Sequence, residues 1–364
     1  MAEPSVTTGH ELEALADAEW WRSNPAGALD LRHKAYAAYV AERSEADAGM
    51  VAARLAVEHF LRGEHSVGAG FLARAHRHVD DLPEGGAIAF VMMIEANVAR
   101  FAGDVDRSLA LADRAIAIAR AHGRPDVVAM AIHNRGLVLI DAGRVAEGIP
   151  YLDEAMASVL AGGIDPFWTG IIYCDVIAAC LELGDVRRAG EWSDAAMAWC
   201  ETLTPDAPYQ GMCRVNRAEV ARLRGAWAEA EAEATLATTE LAGLEPSLVA
   251  SAFQQVGEIR RVFGDLAGAE AAFERAQELG ADPEPGLGLV RLAQRKFEAA
   301  MSALRLALSR EERPPRRVRL LAAQVEAALA AGELEVARVA AAELDVVVTA
   351  IRTPALDAVA ATVR

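Results

Sequence analysis

The side chains that could do chemistry are few, and their spacing argues against catalysis. Eight histidines and four cysteines occur in 364 residues. His76 and His78 stand two apart in a helical stretch and point to different faces, which argues against a shared metal ion. His59 falls on a core-facing position and reads as a satisfied core histidine. His133 falls on the face expected to line a groove and is a candidate ligand contact. Cys174, Cys180, Cys200 and Cys213 show neither Cys-x-x-Cys pairing nor a secreted disulfide spacing, so they read as reduced core thiols. The acidic pairs Asp80-Asp81 and Glu311-Glu312 lie in or beside loops, without a second carboxylate spaced for acid–base work. No Gly-x-x-x-x-Gly-Lys-Ser/Thr loop occurs, and Lys34 and Lys296 are the only lysines, which excludes a P-loop nucleotide site. Gly-x-Ser-x-Gly and His-Glu-x-x-His are also absent. These readings predict no catalytic residue, no metal and no cofactor.

What remains is chemistry of recognition. Counting back nine residues from a recurrent glycine gives Ile94, Asn134, Asp175, Asn216 and Gln255. Six back gives Asn97, Leu137, Ala178, Glu219 and Glu258, and three back gives Arg100, Ile140, Leu181, Arg222 and Arg261. On a helix these offsets share one face. The stripe offers amides, carboxylates and Glu–Arg pairs, the groups that would grip a peptide. The alternative is that the amides bond neighbouring helices and that Glu219/Arg222 and Glu258/Arg261 are intrahelical pairs. Phe90, Met93 and the Phe167-Trp168 step could instead line an apolar pocket for a metabolite. Trp20-Trp21 reads as bulk filling the core under an N-terminal cap, with an exposed recognition patch as its alternative. The cluster Arg313, Arg316, Arg317 and Arg319 around Pro314-Pro315 reads as a solvated inter-repeat loop rather than a phosphate site.

The elements that must position these groups repeat. Turn glycines at Gly63, Gly103, Gly143, Gly184, Gly225 and Gly264 recur every 39 to 41 residues, the mark of a stacked helical-hairpin array. Gly332 anchors a later unit, and Arg295 takes the turn position in another. A small residue follows each glycine by five (Gly68, Ser108, Gly148, Ala189, Ala230, Ala269) and by twelve (Ala75, Ala115, Ala155, Ala196, Ala237, Ala276). A larger one follows by two (Val105, Val145, Val186, Trp227, Leu266, with Phe297 after Arg295) and would plug the hairpin. The pattern predicts an all-α, tetratricopeptide-like right-handed solenoid of about eight to nine hairpins. Residues 1–9 are expected to be disordered. Units are expected near 10–43, with a first helix over 11–22, then 47–81, 87–122, 126–162, 166–203, 209–243, 247–280, 285–310 and 315–350, with a partial helix over 354–364.

Hydrophobic residues make up 53% of the chain and aromatics 5%, which suits closely packed Ala-rich helices. The net charge of −17 argues against sequence-independent nucleic-acid binding. No signal peptide or apolar run of membrane-spanning length is visible, so a cytoplasmic setting is expected.

Several runs carry a family resemblance: 173–180, 185–192 with Trp192, Trp199-Cys200, 216–220, 223–227 with Trp227, and 285–294. Over roughly residue 11 to the end, the chain resembles the long helical-repeat region of large LuxR-type bacterial transcription regulators. In that family the repeats sense a signal or partner beside an ATPase module and a closing helix-turn-helix. The resemblance implies a regulatory sensor but transfers no ATPase or DNA-contacting residue, because neither motif is present. The expected partner is a protein segment held on the concave face, with no direct nucleic-acid or membrane binding. The alternative is a small-molecule effector held inside the superhelix. The candidate contacts are Phe90, Met93, Arg100, His133, Asn134, Asp175, Asn216, Glu219, Arg222, Gln255, Glu258 and Arg261.

Overall fold

A computed structural model describes residues 7–363, and among them are nineteen α-helices and no strand. They follow one another as α1 (Gly9–Trp21), α2 (Pro25–Glu42), α3 (Glu45–Leu61), α4 (His65–Val79), α5 (Gly86–Phe101) and α6 (Val105–Ala121). Next come α7 (Pro125–Asp141), α8 (Val145–Ala161), α9 (Pro166–Glu182), α10 (Val186–Cys200), α11 (Tyr209–Leu223), α12 (Trp227–Glu240) and α13 (Pro246–Phe263). The last are α14 (Leu266–Glu278), α15 (Gly286–Ala293), α16 (Phe297–Arg310), α17 (Pro314–Ala331), α18 (Leu334–Ile351) and α19 (Pro354–Thr362). Nine successive pairs form hairpins, and α19 stands alone after them.

The periodic glycine does what its spacing implies. Gly103, Gly143, Gly184 and Gly225 have φ of +75°, +78°, +73° and +77°, in the left-handed region where a β-carbon is penalised. At Gly143 the chain then closes a Schellman turn, the N–H of Arg144 returning to the carbonyl of Leu139 at 2.8 Å. Arg295 holds the same bend with φ +63°. The small residues five and twelve past each glycine are buried, and they set how closely the helices cross. A β-carbon on Gly148 would sit 2.7 Å from the carbonyl oxygen of Gly136, so only glycine fits there.

Three expectations need correction. Residues 8 and 9 are ordered: Thr8 caps α1 with a capping box, accepting from the Glu11 N–H while Glu11 Oε2 accepts from the Thr8 N–H. The rest of the expected disordered stretch, residues 1–6, lies outside the described residues, as does Arg364. The first helix starts two residues earlier than expected for the same reason. Finally, the residue two past the turn plugs its hairpin fully only at Val145; Trp227 is 37% exposed, against Phe263 at the hairpin tip.

The superhelix is coiled tightly enough that units four or more apart touch. From the first hairpin, Trp20 packs against Phe167 (4.9 Å between ring centroids) and Tyr209 (5.3 Å), and Ser23 Oγ donates to the Asp206 carbonyl at 2.6 Å. The Trp20-Trp21 pair therefore fills a core between distant units rather than one beneath its own cap. The Arg54 guanidinium lies 3.5 Å over the Phe167 ring. Tyr209 Oη donates to the Phe167 carbonyl at 2.5 Å, and burial pushes its pKa far above the ordinary phenol value. At the other end, Pro314 packs on the Gly143 turn and Ala355 on the Gly184 turn. Helices α9 and α11 are thus covered near their starts by the first hairpin and near their ends by α17 and α19.

Candidate functional site

This coiling leaves one large hollow, of about 790 Å³, enclosed by α9, α11, α13, the 282–286 loop, α16, α17 and α19. Its walls carry charge of both signs. On one side stand Glu182 at the end of α9, Glu219 and Arg222 on α11, and Gln255, Glu258 and Arg261 on α13. Facing them from α17 are Arg316 and Arg319. Glu219 is the hub: it accepts from Arg222 Nη2 at 3.3 Å, Gln255 Nε2 at 3.1 Å and Arg319 Nη2 at 3.4 Å. Arg261 pairs with Glu258 at 2.8 Å, and Arg316 with Glu182 at 3.2 Å.

The polar accounting is incomplete in an informative way. Arg222 Nε and Gln255 Oε1 are buried without a hydrogen-bond partner. Such atoms cost stability unless something satisfies them. Burial pushes the Glu182 carboxyl up, against the pull of Arg316 and Arg313. Arg319 loses part of its hydration against the hollow's wall, but Glu219 and Glu258 outweigh that and hold its pKa above the ordinary value.

Of the twelve residues picked out from the sequence, the structure gathers five here: Glu219, Arg222, Gln255, Glu258 and Arg261. The others lie elsewhere. Phe90 and Met93 are buried in the core, Phe90 edge-on to Trp168. His133 is 0% exposed, with Nε2 3.3 Å from Asp175 Oδ2 but no aligned hydrogen bond at either ring nitrogen. Asn134 is buried and donates to Ser108 Oγ at 3.3 Å, Ser108 in turn donating to the Ala96 carbonyl. Asn216 donates to the Cys174 carbonyl at 3.5 Å, and Arg100 pairs with Asp141 at 2.6 Å. The contacts of His133, Asn134, Asn216 and Arg100 join neighbouring units, whereas Phe90–Trp168 links α5 to α9 and Ser108–Ala96 closes a single hairpin. The open-groove placement of Phe90, Met93, His133 and Asn134 is therefore corrected: small residues bring the helices so close that these positions face the next helix instead of solvent.

Glu182, Arg310, Arg316, Arg319 and Glu326 are among the residues of the hollow that were missed. Arg316 and Arg319 were read as loop charges, but Pro314 sits at the first position of α17, where its missing N–H costs nothing, and the arginines ride on that helix. Glu326, on the same helix, also lines the hollow. The three- and seven-residue spacings of 316, 319 and 326 were the available signal.

No protein family matches the chain by profile, and no curated protein matches it in sequence. Solved structures do share its fold. The APC/C hetero-tetramer Cut9–Hcn1 is similar with a TM-score of 0.58 at 14% identity, over 82% of this chain and 52% of that one. NprR in complex with its cognate peptide NprX is similar with a TM-score of 0.51 at 12% identity, over 79% and 86%. A tetratricopeptide repeat protein from Parabacteroides merdae has a TM-score of 0.45 at 13% identity, over 78% and 98%. The chain spans about half the length of the Cut9–Hcn1 chain it matches. The fold is an α-helical solenoid of the tetratricopeptide type.

Proposed function

We propose that the chain is a sensor and protein-interaction module, without catalytic activity, that binds a protein segment in the hollow between α9–α13 and α17. The observation that carries this reading is the hollow itself, walled by charged and amide side chains from α9, α11, α13 and α17. The charged lining points the same way, since a polar trough suits a peptide better than an apolar metabolite does. NprR, on the same fold, was solved with a peptide. The resemblance to LuxR-type regulators supports a role in transcriptional control in a bacterial cytoplasm, and four free cysteines suit a reducing compartment.

A second reading, a small-molecule receptor, draws on one observation: the volume falls in the range of about 300–1,000 Å³ typical of ligand pockets. Affinity capture from native lysate separates the two, using the wild-type chain and Gln255→Ala in parallel. A protein enriched by the wild type and lost with the variant, at unchanged melting temperature, supports segment binding. A metabolite released on denaturation, with no such protein, overturns it.

A further inference from the structure

We infer that the hollow selects a segment carrying a carboxylate and a cation three or four residues apart. This rests on the segment-binding reading above. The free charge inside the hollow is not evenly spread. The acids on the α9–α13 wall are already engaged: Glu219, 15% exposed, has three partners, and Glu182 and Glu258 each have an arginine. Across from them Arg316 and Arg319 keep 55% and 44% of their side-chain surface free; Arg316 holds Glu182 at 3.2 Å and Glu311 at a long 3.7 Å, and Arg319 holds Glu219 by a single contact of 3.4 Å. Arg310, exposed at the end of α16, adds a third guanidinium with no ion-pair partner among the described residues. Ten residues along α17 from Arg316, Glu326 is exposed and has neither a hydrogen bond nor an ion pair among the described residues.

The inner face of α17 therefore reads cation, cation, small, anion: Arg316, Arg319, Ala322 with Ala323, Glu326. At a rise of about 1.5 Å per residue, Glu326 stands about 10 Å along the axis from Arg319 and about 15 Å from Arg316. An extended chain covers about 3.3–3.6 Å per residue, so three or four residues bridge that distance. Guanidinium groups would take the segment's carboxylate in charge-assisted hydrogen bonds, and Glu326 its Lys or Arg. The two alanines leave room for the backbone between them. A carboxylate arriving at Arg319 competes with Glu219 for one long contact, a weak rival.

The test is affinity selection of a hexapeptide library, varied among Asp, Lys, Ala and Leu, on the full chain, read by mass spectrometry. Amidated and free-acid sublibraries separate a side-chain carboxylate from a C-terminal one. Peptides with Asp and Lys three or four apart, or with Lys three or four residues before a free C-terminus, should be enriched about tenfold over single-charge peptides, the ratio charged hydrogen bonds support. Arg316→Gln with Arg319→Gln should remove the preference for the carboxylate alone. Glu326→Gln, on an exposed side chain, should remove the preference for Lys alone. Enrichment of uncharged or single-sign peptides by the wild type overturns the charge pattern while leaving segment binding intact. Enrichment of no peptide at all overturns both.

Discussion

Replacing Trp20 by Ala tests whether the solenoid closes on itself. The indole contributes two ring pairs across the coil, to Phe167 and Tyr209, and one to its neighbour Trp21. Each aromatic pair adds about 0.5–1.5 kcal/mol beyond area burial. A fully buried Trp costs about 3–5 kcal/mol on truncation to Ala, and Trp20 is half-buried. The two routes together place the loss at about 2–4 kcal/mol. Trp227→Ala is the matched control, because that ring is exposed at a hairpin tip, where it pairs with Phe263 at 6.1 Å between centroids, and should cost under about 1 kcal/mol. Denaturant unfolding followed by circular dichroism gives the totals. Amide exchange locates the damage, which should appear at the starts of α9 and α11 as well as in α1 and α2. If Trp20→Ala costs no more than Trp227→Ala, or leaves α9 and α11 protected, the first hairpin does not dock across the coil.

Three further outcomes are expected. Gly103→Ala should lose about 1 kcal/mol by calorimetry from backbone conformation alone, since φ is +75° and a β-carbon there meets nothing within 4 Å; Gly143→Val should lose at least as much, because Pro314 also lies against that turn. Asn216→Ala should cost stability, about 0.5–1.5 kcal/mol for one hydrogen bond, and spare binding, whereas Gln255→Ala should weaken capture of the segment with little change in melting temperature. The third concerns pH. Hydrogen bonding to Glu95 raises the His76 pKa above 6.5, and the same bond lowers that of Glu95 below 4.5. A raised histidine pKa gives stability that is full below 6.5 and fades as pH climbs through the folded-state value, while the lowered Glu95 keeps its share down to about 4.5. His76→Gln should therefore flatten the decline in unfolding midpoint above pH 6.5, and an unchanged slope would show that the pair contributes nothing.

The unit was legible in the sequence because its signals are local. A left-handed bend requires glycine or tolerates a penalty, and a close helix crossing requires Gly, Ala or Ser, so both recur at a fixed interval even where Arg295 breaks the rule. The coil was not legible. Curvature of a solenoid is the sum of small rotations per unit, and no local pattern announces that Trp20 will meet Phe167 or that Arg319 will meet Glu219. The same gap explains the mixed outcome for the polar ladder. Helical periodicity puts Asn134 and Gln255 on one face, but only the packing decides whether that face meets a neighbouring helix or the hollow. Asn134, Asn216 and Gln255 all bond neighbouring helices, and Glu219/Arg222 and Glu258/Arg261 are intrahelical pairs, as the packing alternative expects; Gln255 and those pairs line the hollow as well. Arg316 and Arg319 were hidden by a different cause: a Pro-Pro step reads equally well as a loop or as the first turn of a helix.

The most direct measurement is photo-crosslinking from inside the hollow. A photoactivatable amino acid in place of Ala322, on the inner face of α17, should capture the selected peptide, and the same probe at Val346, 70% exposed on α18, should not. Equal capture from Val346, or none from position 322 while the peptide remains bound, would contradict a binding site between α17 and the α9–α13 wall.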